Sequence, residues 1–176
     1  MAQDGGVDER RARFRALFDE SYQPLLAYAR RRCTPADADD LVAEVLTVAW
    51  RRLDDVPHDA ALPWLFGVAH LILANQRRST RRRLALVERL EREPSPAAPD
   101  GDPVLLDALA RLSADDQEVL RLAAWEQLRA SEIAVVLGCS ANAAALRLSR
   151  ARERLRNAVT EIAPSRTEAD RKDNDG

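Results

Sequence analysis

The chain has 176 residues, 46 % of them hydrophobic and 32 % charged, and a formal net charge of −2. That length allows one domain or two small ones, and six glycines, two of them Gly5 and Gly6 near the N-terminus, leave no glycine-rich phosphate loop. No run reaches the roughly 18 apolar residues that span a bilayer, and "MAQDGGVDERRARF" lacks the apolar core of a signal peptide. No membrane insertion is therefore expected, and the expected compartment is the cytoplasm.

Helical periodicity dominates, so the predicted fold class is all-α. In the first segment, from about Val7 to Arg32, Phe14, Leu17, Phe18, Tyr22, Leu25 and Tyr28 recur at helical steps. Pro24 has no backbone donor and predicts a break or a new first turn. The next helix opens on a capping Thr34, then Pro35, with Asp37, Asp39 and Asp40 at the positive end of its dipole. It runs through "LVAEVLTVAWRRL", and the loop "DDVPHDA" (54–60) follows. "LPWLFGVAHLILAN" (62–75) is apolar almost all round, which predicts a largely buried helix. It leads directly into "QRRSTRRR" (76–83), five arginines in eight residues.

Residues 93–103, "EPSPAAPDGDP", hold four of the nine prolines and no large apolar side chain. They predict a flexible linker. It would join two small helical domains, 8–92 and 104–159, before an acidic tail, 160–176, expected to be disordered. In the second domain Ser113 can cap a helix whose core side carries Val119, Leu120, Leu122 and Ala123. A short helix ends at Gly138, and Ser140 can cap a final helix, "ANAAALRLSRARERLRNAV". Those last two helices have helix-turn-helix proportions. Leu146, Leu148 and Leu155 are the candidate inner contacts of the last one.

Charge is unevenly spread. Gln76–Arg92 carries seven arginines against two glutamates, and Ser140–Arg156 five against one. Two basic segments on an acidic background fit two meetings with a polyanion, or two solvated helix faces. In the last helix Arg147, Arg150, Arg152, Arg154 and Arg156 could hold phosphates or bases. Beside the first tract, Trp64 could stack on a base, and arginines could hold the backbone of a single strand. His58, His70, Cys33 and Cys139 show no zinc spacing, and the acids of "DADD" (37–40) sit where a helix start favours them. No catalytic residue, metal or cofactor is expected.

The order of the pieces carries a resemblance. "DADDLVAEVLTVAWRRLDDVP" (37–57), "PWLFGVAHLILANQRRSTRRR" (63–83), the proline-rich linker and "SEIAVVLGCSANAAALRLSRARERLR" (131–156) together resemble the extracytoplasmic-function (ECF) sigma factors. These small bacterial initiation factors keep only sigma domains two and four. The resemblance covers about Phe14 to Val159. It implies that Asp40, Leu41, Glu44 and Val45 meet the clamp helices of core RNA polymerase. It implies that Trp64, His70, Asn75, Arg77, Arg78, Arg81 and Arg82 engage the −10 element as the duplex opens. The 54–60 loop stands where family members capture an unstacked base. Ser140, Asn142, Arg147, Arg150 and Arg152 would serve the −35 element. It further implies an anti-sigma factor as a partner. The chain departs from the family pattern at His70, Gln127, Arg129, Ala145 and Leu146. A helix-turn-helix regulator that ignores polymerase, and a module that binds proteins without reading promoters, are the alternatives at this level.

Overall fold

The computed structural model describes the backbone of residues 4–86 and 102–173 and the side chains of residues 6–79 and 102–162. Among the described residues there are seven α-helices and no strand: α1 (Asp4–Arg30), α2 (Pro35–Arg51), α3 (Ala61–Leu86), α4 (Pro103–Arg111), α5 (Ala114–Ala124), α6 (Ala130–Leu137) and α7 (Ala141–Asp173). A 3-10 turn, Leu53–Asp55, follows α2. The chain divides into two compact units. The first contains α1–α3, and the second contains α4, α5, α7 and Ala130–Ala134 of α6. The expected linker lies outside the described residues except for Asp102 and Pro103, which open α4.

In the first unit, α1 passes through Pro24 without a break, against the expectation of a new first turn. Packing overrides the missing backbone bond. Leu25, Leu26, Tyr28 and Ala29, just past the proline, are all buried. The carbonyl one turn back, deprived of its donor, belongs to the exposed Glu20. Thr34 Oγ1 accepts a hydrogen bond from the Asp37 amide at 3.3 Å, which satisfies one of the orphan donors at the start of α2. The three helices close on Leu25, Tyr28, Val45, Leu65 and Phe66. The Tyr28 and Phe66 rings stack with centroids 4.8 Å apart. Such a pair adds about 0.5–1.5 kcal/mol to the effect of burial.

One expectation changes here. Leu41 and Val45 are buried, so of the four residues assigned to the polymerase surface only Asp40 and Glu44 are exposed. The 3.6-residue period forces this split, because i and i+4 share one face and i−1 and i+3 share the next. Over 62–75, α3 is buried or half-buried as expected, except at Leu71 and Asn75. Leu65, Phe66, Ala69 and Leu73 face the core, and Leu71, 59 % exposed, is the apolar exception.

In the second unit, Asp102 Oδ1 accepts from the Val104 amide at 2.9 Å, and Ser113 Oγ accepts from the Asp116 amide at 3.2 Å. The turn before α6 holds Gln127 at φ 55°, the left-handed region that favours glycine. Helix α6 has no hydroxyl cap. Instead Glu132 reaches back to accept from the Arg129 amide at 2.8 Å. That bond is the main reason its carboxyl titrates below the ordinary glutamate value; the Arg129 guanidinium adds to it. Gly138, at φ 61°, ends the helix. The Cys139 amide donates to Ala134 O at 3.0 Å and the Gly138 amide to Val135 O at 3.4 Å, the paired bonds of a Schellman stop.

Ser140 Oγ accepts from the Ala143 amide at 3.2 Å and starts α7. The inner face of α7 is Ala144, Leu148, Ala151, Ala158 and Ile162. Leu155 packs on Ala108, Ala158 and Ile162 beside Val104 and Leu112. Leu146, expected among the inner contacts, is half exposed, because its register places it on the opposite face from Leu148 and Leu155. The helix also runs past Val159, the expected domain end, to Asp173. Ile162, one turn beyond Ala158, is still part of the core, so the tail expected from 160 begins as structured helix.

Candidate nucleic-acid interface

In the first unit, α3 carries the candidate residues in two stripes, since each residue turns the helix by about 100°. Positions 64, 71, 75, 78 and 82 share the stripe opposite the buried face. Positions 70, 77 and 81 share a flank. Trp64 and His70 are half-buried, and Asn75, Arg77 and Arg78 are exposed. Arg52 lies over the Trp64 ring at 5.7 Å, a distance typical of a cation–π contact. Asn75 Oδ1 accepts from Arg78 Nη2 at 2.8 Å, and Arg78 Nε also donates to Ala74 O at 3.3 Å. The Asn75 amide NH2 keeps its donor capacity. The side chains of Arg81 and Arg82 lie outside the described residues.

Arg77 also feels the end of α1. Burial pushes the Cys33 thiol above its ordinary pKa and the Asp37 carboxylate adds to that, while Arg77 and Arg32 pull the other way. The thiol donates to Ala29 O at 3.1 Å. A half-buried thiol held protonated has little nucleophilic character. Among the described residues, no group of three His, Cys, Asp or Glu side chains could hold a metal ion.

The 54–60 loop leaves α2 through two buried anchors, Leu53 and Val56, and exposes His58 and Asp59. Two arginines of α1 reach it, and sequence reasoning missed both. Arg10 Nη1 lies 3.0 Å from Asp54 Oδ2, and Arg13 Nη2 donates to Val56 O at 3.1 Å. Arg10 pairs with Asp54 across 44 positions, and no local spacing encodes such a pair.

In the second unit, the outward face of α7 centres on Asn142, Leu146, Ser149 and Glu153, with Arg150 beside them. Arg147 and Arg152 occupy its opposite edges. All of these are exposed. Arg154 is diverted. Its Nη1 pairs with Asp116 at 2.8 Å and ties α7 to α5. Ser140 is occupied as a cap, although a hydroxyl that accepts there still carries a proton to donate. Among the described residues, no single helix is long and apolar enough to cross a membrane.

Comparison with known proteins agrees with this division. A family model for sigma-70 region 2 matches residues 17–83, and one for sigma-70 region 4 matches residues 104–155. The ECF RNA polymerase sigma factor SigL of Mycobacterium tuberculosis is 32 % identical over 174 residues, covering 92 % of this chain and 97 % of its own. The RNA polymerase sigma factor NccH of Alcaligenes xylosoxydans xylosoxydans is 29 % identical over 86 % of this chain and 94 % of its own. Among solved structures, the sigma factor RpoE in complex with the anti-sigma factor NepR from Bartonella quintana aligns with a TM-score of 0.58 at 26 % identity. That alignment covers 89 % of this chain and 97 % of the other. CnrH in complex with the cytosolic domain of CnrY gives 0.57 at 27 % identity, over 84 % and 88 %. With both regions in order and a relative matched almost end to end, the chain belongs to the ECF sigma factors, which bind core RNA polymerase and direct promoter-specific initiation through regions 2 and 4.

Proposed function

We propose that the two units divide the promoter between them. The outward stripe of α3 meets the −10 element as the strands part. Trp64 offers a ring to an unstacked base, Asn75 donates to a base edge, and Arg77, Arg78, Arg81 and Arg82 hold the backbone. His70 flanks this surface. The N-terminal half of α7 enters the major groove at the −35 element. Asn142 and Arg150 face the bases, while Ser140 and the edge residues Arg147 and Arg152 face phosphates. Asp40 and Glu44 present an acidic surface to the polymerase clamp helices, and Leu41 and Val45 fix the angle of that surface from inside the core.

The protein does no covalent chemistry in this reading. Binding free energy gained on the separated strand offsets the cost of opening the duplex, and polymerase performs the synthesis. Its place of action is the cytoplasm, with the polymerase. An anti-sigma factor is a further partner in this reading, supported by the complex of RpoE with the anti-sigma factor NepR. The observation that carries the reading is that exposed arginines stand on both helices, Arg77 and Arg78 on α3 and Arg147, Arg150 and Arg152 on α7, the latter outside an inner face held in the core.

The test mixes the purified full chain with core polymerase and run-off templates from its own genome. A holoenzyme that yields promoter-dependent transcripts is the expected result. Failure to form a holoenzyme contradicts the reading. A holoenzyme without promoter-dependent transcripts reduces the protein to an interaction module.

A further inference from the structure

We infer that Arg10 and Arg13 are positioning residues for the 54–60 loop, so that base capture depends on two side chains that never touch DNA. The inference rests on the reading of that loop as the base-capturing element. The two arginines stand three residues apart on one face of α1. Arg10 Nη2 donates to Trp50 O at 2.7 Å, one of the carbonyls that α2 leaves without an intrahelical partner. Arg10 Nη1 binds Asp54 Oδ2 at 3.0 Å, and its guanidinium lies 5.2 Å from the centre of the Trp50 ring. Arg13 Nη2 donates to Val56 O at 3.1 Å, and its Nη1 lies 3.7 Å from Asp54 Oδ1.

An exposed ion pair alone stabilises little, and Asp54 is 82 % exposed. The backbone contacts are different. They hold Trp50, in the last turn of α2, and Val56, which caps the 3-10 turn, against α1. Arg52 closes the turn locally on Asp55 at 2.9 Å. Beyond Val56 only Pro57, with its fixed φ, separates the pinned half from the exposed His58 and Asp59. The first half of the loop is thus held before any base arrives, and the second half inherits its direction. Pre-organisation of this kind removes an ordering cost from binding. The planar fork of arginine serves a carbonyl and a carboxylate at once in a fixed geometry, which the single ammonium of lysine does not reproduce.

The experiment uses the full chain assembled with core polymerase on promoters carrying each of the four bases at every non-template position of the −10 element. The readout is open-complex formation, followed by 2-aminopurine fluorescence. The R10A/R13A variant should lose discrimination at one position by roughly tenfold. Holoenzyme affinity and initiation from a pre-opened promoter should stay within about twofold of the unmodified protein. R10A/R13K, which keeps a donor for Val56 O, should restore part of the discrimination that R10A/R13A loses; R10A/R13A that keeps full discrimination overturns the inference. H58A/D59A separates positioning of the loop from reading by the loop. If it removes the discrimination and R10A/R13A does not, the positioning role fails alone. If H58A/D59A leaves discrimination intact, the loop is not the reader and the underlying assignment falls with the inference.

Discussion

Helices α3 and α7 both carry a cluster of arginines, yet the two clusters are anchored differently. The inner face of α7 is in the core from Ala144 to Ile162, so every exposed residue between them sits on a fixed base. Among the described side chains of α3 the last buried one is Leu73, and the exposed Asn75, Gln76, Arg77 and Arg78 lie beyond it. The arginines of one helix stand on a face backed by core, and the described arginines of the other stand past the last described core contact. A face backed by core suits an unmelted groove whose dimensions are set in advance. Arginines past the last described core contact suit a strand that changes conformation while it is being bound. Local charge is thus a poor guide to how a basic segment works; the length of buried helix beneath it discriminates better.

The largest effects should come from the anchors. Phe66→Ala should cost about 3–5 kcal/mol and Leu148→Ala about 2–5 kcal/mol, whereas Leu146→Ala should stay within about 0.5 kcal/mol. Urea denaturation of the full chain measures all three. A large cost at Leu146 would mean that the outward face of α7 is wrongly assigned.

The salt dependence of promoter binding by the holoenzyme sharpens the contrast at the DNA. Replacing Arg147 or Arg152 with alanine should lower the log-log slope by about 0.9 for each phosphate no longer neutralised, the duplex value. The same replacement at Arg77, Arg78, Arg81 or Arg82 should lower it by about 0.7 per phosphate, the single-strand value. Equal decrements near 0.9 from both sets would place both helices on duplex DNA.

A smaller effect is expected at the turn that sets up α6. Gln127→Gly removes left-handed strain of about 1–2 kcal/mol. The greater freedom of glycine in the unfolded chain takes back about 0.4–1 kcal/mol, so a net gain of about 0–1.6 kcal/mol should appear as a small rise in Tm. The smallest effect concerns Glu132. Its folded pKa is depressed, so its contribution is complete above the ordinary glutamate value and is lost as pH falls through the folded value. Glu132→Gln should flatten that part of the stability profile, and an unchanged acid limb would show that its cap bond to Arg129 carries nothing.

Features governed by local chemistry were legible in the sequence. Thr34, Ser113 and Ser140 cap helices through their hydroxyls and Gly138, without a Cβ, stops one at positive φ, and the order of the basic segments around a proline-rich stretch carried the family. Features decided by tertiary packing were less so. Pro24 reads as a breaker until the burial of Leu25 and Tyr28 is known. Leu41 and Val45 belong to the same motif as Asp40 and Glu44 but point inward. Leu146 looks like Leu148 in composition and differs from it only in register. Arg154 looks like any other arginine of α7 until Asp116 on α5 claims it. Arg10 and Arg13 have no signature, because their partners lie some forty residues away.

The central claim is that α3 reads the opened −10 element and α7 reads duplex at −35. Site-specific photocrosslinking of promoter-bound holoenzyme tests it most directly, with a photoreactive residue placed at Trp64 or Asn75 in one set and at Asn142 in the other. The account predicts crosslinks from Trp64 and Asn75 to the non-template strand of the −10 element, and from Asn142 to the −35 duplex. Crosslinks from both sets to the −35 duplex, or an exchange of the two targets, would contradict it.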